Sequence, residues 1–301
     1  MQADLNRFRG SLLGLAVGDA VGTTVEFQPR GSFSPVTDMV GGGPFHLQPG
    51  QWTDDTSMAL CLATSLLEEE GFDSADQMDR YWSWYRYGNL SSTGRCFDIG
   101  NTVRDALERY QRSKEPFSGS TDPYAAGNGS LMRLAPIPMY YFPDLEKINH
   151  YAGESSRTTH GAQQCIEACQ LFADMLFRAL SGSGKDEILF QTAFKPSEAA
   201  IKSIANGDYC QKSSAQIKGT GYVVMSMEAA LWCFYHTGTF ESAILQAANL
   251  GDDADTTAAI CGQIAGAYYG ESGIPVKWLQ KLYMRAEIAD LADKLSKNEH
   301  Q

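Results

Sequence analysis

Two short acidic clusters, one near each end of the chain, contain the residue types best suited to chemistry. The cluster at 52–56 reads Trp-Thr-Asp-Asp-Thr, and the cluster at 251–256 reads Gly-Asp-Asp-Ala-Asp-Thr. Carboxylates this close repel one another and raise each other's pKa unless a cation neutralises them. Oxygen-only donor sets of this kind suit hard divalent ions such as Mg²⁺ or Mn²⁺. The two clusters therefore predict a cation site.

Each cluster taken alone has a second interpretation as the start of a helix. Thr53, or Gly251 with Asp252, could cap a helix, and the helix dipole favours acidic residues in the first turn. Both clusters, however, share the same composition, and each precedes a run rich in alanine and aliphatic residues. The pair favours a shared cation site over two independent caps.

Helices are the elements that must position these clusters. After Thr53 the apolar residues recur at helix spacing, and Gly71 is placed to end that run. Alternating β-type runs are almost absent, and the Gly- and Pro-rich stretches at 28–50 and 113–129 are typical of loops. We predict an all-α fold, a compact single-domain helical bundle spanning residues 1–301. Further helical patterns cover roughly 99–112, 160–180, 221–237, 239–250 and 254–270.

Glycines recur at every fourth position in two segments, Gly10 to Gly22 and Gly262 to Gly270. This spacing places them on one stripe of a helix, where a second helix can approach backbone to backbone. Interior glycine costs a helix up to about 1 kcal/mol relative to alanine, so close packing is the expected compensation. We predict that both stripes line the core and bring Asp19 and Glu26 near the second acidic cluster.

The bulk composition limits the possible partners and compartments. A hydrophobic content of 43% and a net charge of −12 describe a globular protein whose main partner is neither nucleic acid nor an anionic membrane. The seven cysteines form an odd set without a CxxC pair, as expected in a reducing cytoplasm. We find no signal-peptide pattern and no stretch apolar enough to span a bilayer. A cytoplasmic location is therefore predicted.

Seven segments in order carry a resemblance to one protein family. Together they resemble the ADP-ribosylglycohydrolase family, most of all its dinitrogenase-reductase-activating branch, from about residue 7 to about 270. The segments are Gly-Leu-Ala-Val-Gly-Asp-Ala-Val-Gly at 14–22 with Glu26-Phe27, Gly-Gln-Trp-Thr-Asp-Asp-Thr at 50–56, Cys-Phe-Asp-Ile-Gly-Asn-Thr at 96–102, Gly-Asn-Gly-Ser-Leu-Met-Arg at 127–133, Thr159-His160, Gly-Tyr-Val-Val at 221–224, and 251–257.

The resemblance implies an all-α fold with two Mg²⁺ or Mn²⁺ ions at the bottom of a cleft. Asp252 stands where a second glycine is common in the family, and we expect its carboxylate to lie outside the metal ligands or to face solvent. Carried over by position, the implied metal ligands are Thr53, Asp54, Asp55, Asp253, Asp255 and Thr256.

Two further acidic residues, Glu26 and Asp98, lie in the matched motifs between apolar neighbours. Lone acidic residues are usually solvated surface groups. Apolar surroundings, however, can tune a carboxylate for acid–base work. We interpret Asp98 as the leading general base or electrostatic stabiliser, and Glu26 as a metal ligand or second catalytic carboxylate.

A glycine-rich segment, Gly127-Asn128-Gly129-Ser130, could bind a diphosphate through backbone N–H groups and a hydroxyl. Its other interpretation is an ordinary Asn-Gly turn. The resemblance adds His160 as a hydrogen-bonding partner of phosphate or ribose, and Tyr222 as a stacking partner of a ligand ring. A helix cap and simple packing are the alternatives for these two residues.

The implied reaction is hydrolysis of the N-glycosidic bond between ADP-ribose and a protein arginine. The partners would be an ADP-ribosylated protein as substrate and ADP-ribose as product, and we expect a monomer. Hydrolysis of another ADP-ribose linkage, to serine or to a carboxylate, is one alternative, and a non-catalytic ADP-ribose-binding relative is another. A serine hydrolase using Ser130 and His160 is a third, although no G-x-S-x-G elbow is present.

Overall fold

The described part of the chain, residues 3–297 of a computed structural model, consists of helices and loops. No β-strand forms within it, and its only bridges are three isolated ones. The all-α prediction is confirmed. The helices are α1 (Leu5–Gly22), α2 (Asp54–Glu68), α3 (Ser74–Tyr87), α4 (Asn101–Ser113), α5 (Pro136–Tyr140), α6 (Leu145–Thr159), α7 (Gln163–Leu180), α8 (Lys185–Phe190), α9 (Ala199–Ala205), α10 (Val223–His236), α11 (Phe240–Ala248), α12 (Ala254–Tyr269), α13 (Val276–Lys281) and α14 (Arg285–Leu295).

The helices predicted from apolar periodicity all form, with ends that differ from the predictions by three residues or fewer. The periodicity missed α14 and the short helices α5, α8, α9 and α13. It also missed α3 and α6, since polar or aromatic residues interrupt the apolar stripes of these two. Both helices nevertheless begin with an aspartate cap. Asp73 accepts hydrogen bonds from the N–H groups of Ala75 and Asp76, and Asp144 accepts one from Lys147. These caps are the sequence signal that would have located both helices.

The most extensive helix–helix contact joins α1 and α12, which run antiparallel. A Cβ atom added at Gly14 would lie 2.3 Å from the carbonyl oxygen of Gly262, and one added at Gly10 would lie 2.2 Å from that of Gly266. Gly18 and Gly22 face the carbonyl oxygens of Ala258 and Ala254 in the same way. The predicted backbone-to-backbone packing of the glycine stripes is thus confirmed.

This close packing sets the position of both acidic clusters. Gly22 at the end of α1 packs against Ala254 at the start of α12, so the residues after α1 lie beside the second cluster. Asp19, one turn earlier on α1, reaches the start of α2 and therefore the first cluster. Among residues 3–297, no helix is long and apolar enough to cross a membrane.

Candidate active site

A cleft of about 1060 Å³ opens where these helix ends and their loops meet. Its floor comes from the start of α12, and its walls come from the loops before α4, α5 and α10. Twelve predicted or weighed site residues line it, drawn from segments far apart in the sequence: Glu26, Asp54, Asp98, Gly127, Asn128, Gly129, His160, Gly221, Asp252, Asp253, Asp255 and Thr256.

Asp19 is fully buried and holds the start of α2. One of its carboxylate oxygens accepts hydrogen bonds from the N–H and hydroxyl of Thr53, both at 2.9 Å. The other accepts from the N–H and hydroxyl of Thr56, at 3.0 and 2.6 Å. The side chain of Thr53 makes no capping bond. The carboxylate that accepts hydrogen bonds from the N–H groups at the start of α2 therefore belongs to another helix, α1.

The Thr53 hydroxyl lies among three carboxylates at the base of the cleft. Its oxygen is 2.9 Å from Asp19, 3.2 Å from Asp55 and 3.3 Å from Asp255. One hydroxyl has one proton, so it can donate to only one of these groups. The remaining oxygens direct lone pairs at one another, which is unfavourable in a buried site unless a cation lies between them.

Two buried carboxylate oxygens at this point have no hydrogen-bond partner among residues 3–297. They are Oδ1 of Asp55 and Oδ1 of Asp255. Buried polar atoms are almost always satisfied, so each of these exceptions needs an explanation. A divalent cation bound by these oxygens would supply it, and the all-oxygen donor set suits Mg²⁺ or Mn²⁺.

The carboxylates form two adjacent groups that could each hold a metal ion. One contains Asp19, Asp55 and Asp255, and the other contains Glu26, Asp98 and Asp255. Within each group, one oxygen from each residue lies within 4.8 Å of the others. Asp255 belongs to both groups and stands where a bridging ligand would be needed. Residues from both predicted acidic clusters thus converge on one site.

The other predicted metal ligands surround these groups. Asp54 lines the cleft and Thr256 donates to Asp55 over 3.4 Å. Asp253 accepts a 2.7 Å hydrogen bond from the amide of Asn128. Asp252 is exposed at the edge of the cleft, as expected for a carboxylate that faces solvent.

Burial raises the pKa of every carboxyl group at the base of the cleft, and repulsion between neighbouring carboxylates adds to the increase for Glu26, Asp55, Asp98 and Asp255. Burial is the largest cause in each case, and it raises the pKa of Asp19 to about 6 and that of Asp98 to about 7. Burial, followed by the charge of Asp98, raises the pKa of Glu26 to about 10. The pKa values of Asp55 and Asp255 are raised well above the usual range. The site thus binds protons strongly unless cations replace them.

The backbone at the cleft edge adopts uncommon conformations. Asp98 has φ of 59°, Phe27 has φ of 62° and Asp252 has φ of 55°. Phe27 donates its N–H to the carbonyl of Asp252 over 2.8 Å, so two of these residues hold each other. Left-handed non-glycine residues cluster at functional sites. Here they turn Asp98 inward and leave the Phe27 ring 65% exposed at the edge of the cleft.

The segment 127–129 forms one wall of the cleft beside the ring of His160. Gly127 and Gly129 leave room for this ring, because a Cβ added at Gly129 would lie 2.8 Å from its Cε1 atom. The Nδ1 atom of His160 is 2.9 Å from the hydroxyl of Thr159. Burial, followed by the charge of Arg133, lowers the pKa of His160 to about 3, so the ring is neutral.

Two of the predicted substrate-binding side chains do not line the cleft. Ser130 is buried behind the glycine-rich wall, with its hydroxyl 2.9 Å from that of Ser156. The hydroxyl of Tyr222 donates to Gln164 over 2.6 Å, and its backbone pairs with Gly127. Ser130 also makes no hydrogen bond to His160 within the described residues. This geometry disfavours a serine hydrolase, whose nucleophile must reach its base.

Several residues in or beneath the cleft carried a usable signal in the sequence but no assigned role. Asp19 is an acidic residue inside an otherwise apolar, glycine-rich helix, which is a strong sign of a buried polar function. Asn101 follows the Asp98 motif at the start of α4, and Lys218 adds positive charge near the outer edge of the cleft. Phe27 was part of a matched motif, but nothing in the sequence indicates that its ring is exposed.

Comparison with known proteins adds an independent line of evidence. A family model described as ADP-ribosylglycohydrolase matches residues 1–301. The ADP-ribosylarginine hydrolase Tri1 of Pseudomonas putida (strain GB-1) is 47% identical, over 97% of this chain and 78% of its own. The ADP-ribosyl-[dinitrogen reductase] glycohydrolase of Rhodospirillum rubrum is 33% identical, over 94% of this chain and 92% of its own.

A solved structure described as an ADP-ribosylglycohydrolase-related protein complex superimposes with a TM-score of 0.84. Its chain is 43% identical, and the match covers 97% of this chain and 98% of that one. Within the family, the sequence is more similar to the Tri1 protein than to the dinitrogen reductase enzyme. Sequence, fold and cleft agree: the chain belongs to the ADP-ribosylglycohydrolase family.

Proposed function

We propose that this protein hydrolyses the N-glycosidic bond between ADP-ribose and a modified arginine, and so reverses mono-ADP-ribosylation. The observation that carries the proposal is the cleft in which both acidic clusters, Asp98 and the 127–129 wall converge. The 47% identity to a protein named ADP-ribosylarginine hydrolase favours arginine over the serine and carboxylate linkages.

In the reaction a water molecule attacks C1″ of the ribose, and the bond from C1″ to the guanidino nitrogen breaks. Asp98 accepts the proton that the water loses, and this proton then passes to the departing guanidine, which leaves as guanidinium. Asp98 lines the cleft beside Glu26 and Asp255, where its carboxylate can act in proton transfer. The negative charge of Asp98 also stabilises the oxocarbenium-like carbon, as in other glycoside hydrolases.

Two divalent cations, Mg²⁺ or Mn²⁺, are proposed as cofactors. Asp55 and Asp255 would hold them, since both present unpartnered buried oxygens, with Glu26 as the further carboxylate of the second group. Asp19 would orient Thr53 and α2, because each of its oxygens already accepts two hydrogen bonds. When bound, the cations would orient the ribose hydroxyls and acidify a water molecule.

The shape of the cleft suggests an orientation for the substrate. The ADP part would lie along the 127–129 wall and His160, where the Gly129 N–H and a neutral ring offer hydrogen bonds. The N–H groups of Gly127 and Asn128 already donate to the carbonyls of Ala125 and Gly221. The arginine side chain would leave past Phe27 and Phe97, which pack against the ring of Phe45 with centroids 6.4 and 5.1 Å away. Guanidinium groups stack favourably on aromatic faces.

We further propose that residues 1–301 form a single domain that acts as a monomer in the cytoplasm. The partners would be an ADP-ribosylated protein as substrate and ADP-ribose as product. All seven cysteines are free, which supports a reducing compartment. The net charge of −12 and the acidic cleft disfavour nucleic acid as a partner.

The test is a hydrolysis assay on synthetic peptides that carry ADP-ribose on arginine, serine or glutamate. We expect release of ADP-ribose from the arginine peptide, loss of activity in EDTA and recovery with Mg²⁺ or Mn²⁺. Faster release from the serine or glutamate peptide would show that the enzyme acts on that linkage and not on arginine. Binding of ADP-ribose without release from any peptide would instead show a non-catalytic relative.

A further inference from the structure

Arg133 is a fully buried arginine whose hydrogen bonds among the described residues all go to carbonyl and hydroxyl oxygens, not to carboxylates. Its guanidinium stacks on the ring of Tyr81 at 4.7 Å and donates to the carbonyl of Gly129 over 2.9 Å. Its Nη2 atom donates to the hydroxyl of Thr159 over 2.9 Å, and the hydroxyl of Thr158 and the carbonyl of Ser155 each lie 3.2 Å from the same atom. A buried charge without a counter-ion is costly, so these contacts call for a functional explanation.

The hydrogen bonds of Thr159 determine where its proton lies. Arginine has no acceptor atom and remains charged, so the Thr159 oxygen must accept from Arg133. The other hydrogen bond of this oxygen among residues 3–297 joins it to Nδ1 of His160, at 2.9 Å. Nδ1 is therefore the one acceptor available for the hydroxyl proton of Thr159. A proton on Nδ1 would leave that buried hydroxyl proton without an acceptor.

A neutral histidine carries one ring proton, so an accepting Nδ1 places it on Nε2. Double protonation is opposed by burial and by the nearby charge of Arg133. The Nε2 atom lies beside Gly127 and Gly129, at 3.3 and 3.2 Å from the points that a Cβ atom on each glycine would occupy. The His160 ring lines the cleft at this wall.

We propose that Arg133 and Thr159 are positioning residues that lock His160 as the Nε2–H tautomer, a fixed neutral hydrogen-bond donor to an oxygen of ADP-ribose. The inference rests on the proposed function for the identity of the ligand. Arg133 donates to Thr159, Thr159 donates to Nδ1, and Nε2–H donates into the cleft. The same guanidinium holds the carbonyl of Gly129, so one buried cation sets both the ring and the wall beside it.

Thr158 provides a matched control for this chain of hydrogen bonds. It lies next to Thr159 at the end of α6, is equally buried and also accepts from Arg133. Its own hydroxyl donates to the carbonyl of Ser155, and among residues 3–297 it makes no hydrogen bond to the His160 ring. Thr158→Val and Thr159→Val thus remove the same group from the same buried cation, but only Thr159→Val breaks the link to the ring.

The first measurement is the long-range ¹H–¹⁵N NMR spectrum of the ligand-free protein labelled at histidine. A His160→Gln variant assigns the signals of this ring among the five histidines. We expect a protonated Nε2 and a bare Nδ1 in the wild type, in Thr158→Val and in Thr159→Ser. Thr159→Val should populate the Nδ1–H tautomer. A wild-type Nδ1–H tautomer, or a Thr159→Val spectrum that matches the wild type, would overturn the proposal.

The second measurement is the affinity for free ADP-ribose by calorimetry. If only the Nε2–H tautomer binds, Kd should rise in Thr159→Val by the reciprocal of the fraction of that tautomer seen by NMR. Thr158→Val should keep the wild-type Kd. A tautomer shift without this rise would overturn the role in binding. A wild type that does not bind ADP-ribose would contradict the proposed function. The NMR spectra would still show whether Thr159 fixes the tautomer of His160.

Discussion

At the residue scale, Asp98 combines a left-handed backbone with a half-buried carboxyl group beside Glu26. The substitution Asp98→Asn keeps the shape and a residue that tolerates positive φ, but it removes the base and the negative charge. We expect turnover of ADP-ribosyl-arginine to fall by about 10²–10⁴-fold, the typical contribution of a general base. Stoichiometry of bound Mn²⁺, measured by calorimetry, should persist.

Asp105→Asn is the matched control, because Asp105 lies on α4 with an exposed side chain and does not line the cleft. It should retain wild-type turnover. Near-normal turnover in Asp98→Asn would remove Asp98 from the mechanism and transfer its role to Glu26. Loss of bound metal in that variant would make Asp98 a ligand.

Phe27 offers a second prediction at this scale, because its exposed ring lies where the arginine side chain would leave. In Phe27→Ala we expect KM for an ADP-ribosylated arginine peptide to rise roughly two- to five-fold, the size of an exposed cation–π contact. The Kd for free ADP-ribose should not change, since the product lacks the arginine.

Tyr87→Ala removes another exposed aromatic ring, 71% exposed at the end of α3, and serves as the control. It should leave both constants unchanged. If Phe27→Ala weakens free ADP-ribose as much as the peptide, the ring contacts the ADP-ribose part and the proposed exit path is wrong.

At the scale of elements, the packing of α1 on α12 depends on glycine. A Cβ at Gly14 would lie 2.3 Å from the backbone of α12, so Gly14→Ala must separate two helices that hold the active site. We expect a loss of at least about 1–3 kcal/mol in the free energy of unfolding, as for other overpacked cores. Urea denaturation followed by circular dichroism measures it.

Gly153→Ala is the comparison within another buried helix. A Cβ there would meet mainly the end of the flexible Gln170 side chain, at 3.2 Å, so neighbouring atoms can adjust. Alanine also favours the helix by up to about 1 kcal/mol, which offsets the crowding. Equal stabilities of the two variants would show that the α1–α12 contact can expand without loss.

At the scale of the whole molecule, the acidic site couples stability to pH and to metal. In chelator, the folded protein keeps protons that the unfolded chain releases, because burial raises the pKa of Glu26 to about 10 and that of Asp98 to about 7, against about 4 in unfolded chains. Stability must therefore fall as pH rises above about 6.5. Each extra proton contributes about 1.4 kcal/mol per pH unit.

Thermal melting between pH 6.5 and 8.5 tests this coupling. In EDTA, Tm should decrease as pH rises, whereas Mn²⁺ should raise Tm and weaken or reverse the trend, because metal then replaces the protons. Below about pH 6.5 the lowered pKa of His160 acts in the opposite direction, so the window stops there. Glu26→Gln is the control. In EDTA its Tm should fall less steeply with pH than that of the wild type, by an amount that corresponds to about one bound proton. Equal slopes for this variant and the wild type would contradict the assignment.

The sequence by itself determined the all-α class, most of the long helices and the contact between the two glycine stripes. These features follow from local periodicity and from the size of single residues, both of which depend only on residues close together in the sequence. The two acidic clusters and the family motifs also indicated the cation chemistry, since closely spaced carboxylates repel one another unless a cation neutralises them.

Only the tertiary structure decided which atoms face one another. The four hydrogen bonds that Asp19 accepts from α2, the place of Asp255 in both carboxylate groups and the inward turn of Ser130 all depend on contacts between distant segments. Thr53 and Asp255, for example, are 202 positions apart. Sequence patterns specify which residues can do chemistry, but hydrogen bonds and pKa shifts arise from distances that exist only after the helices have packed.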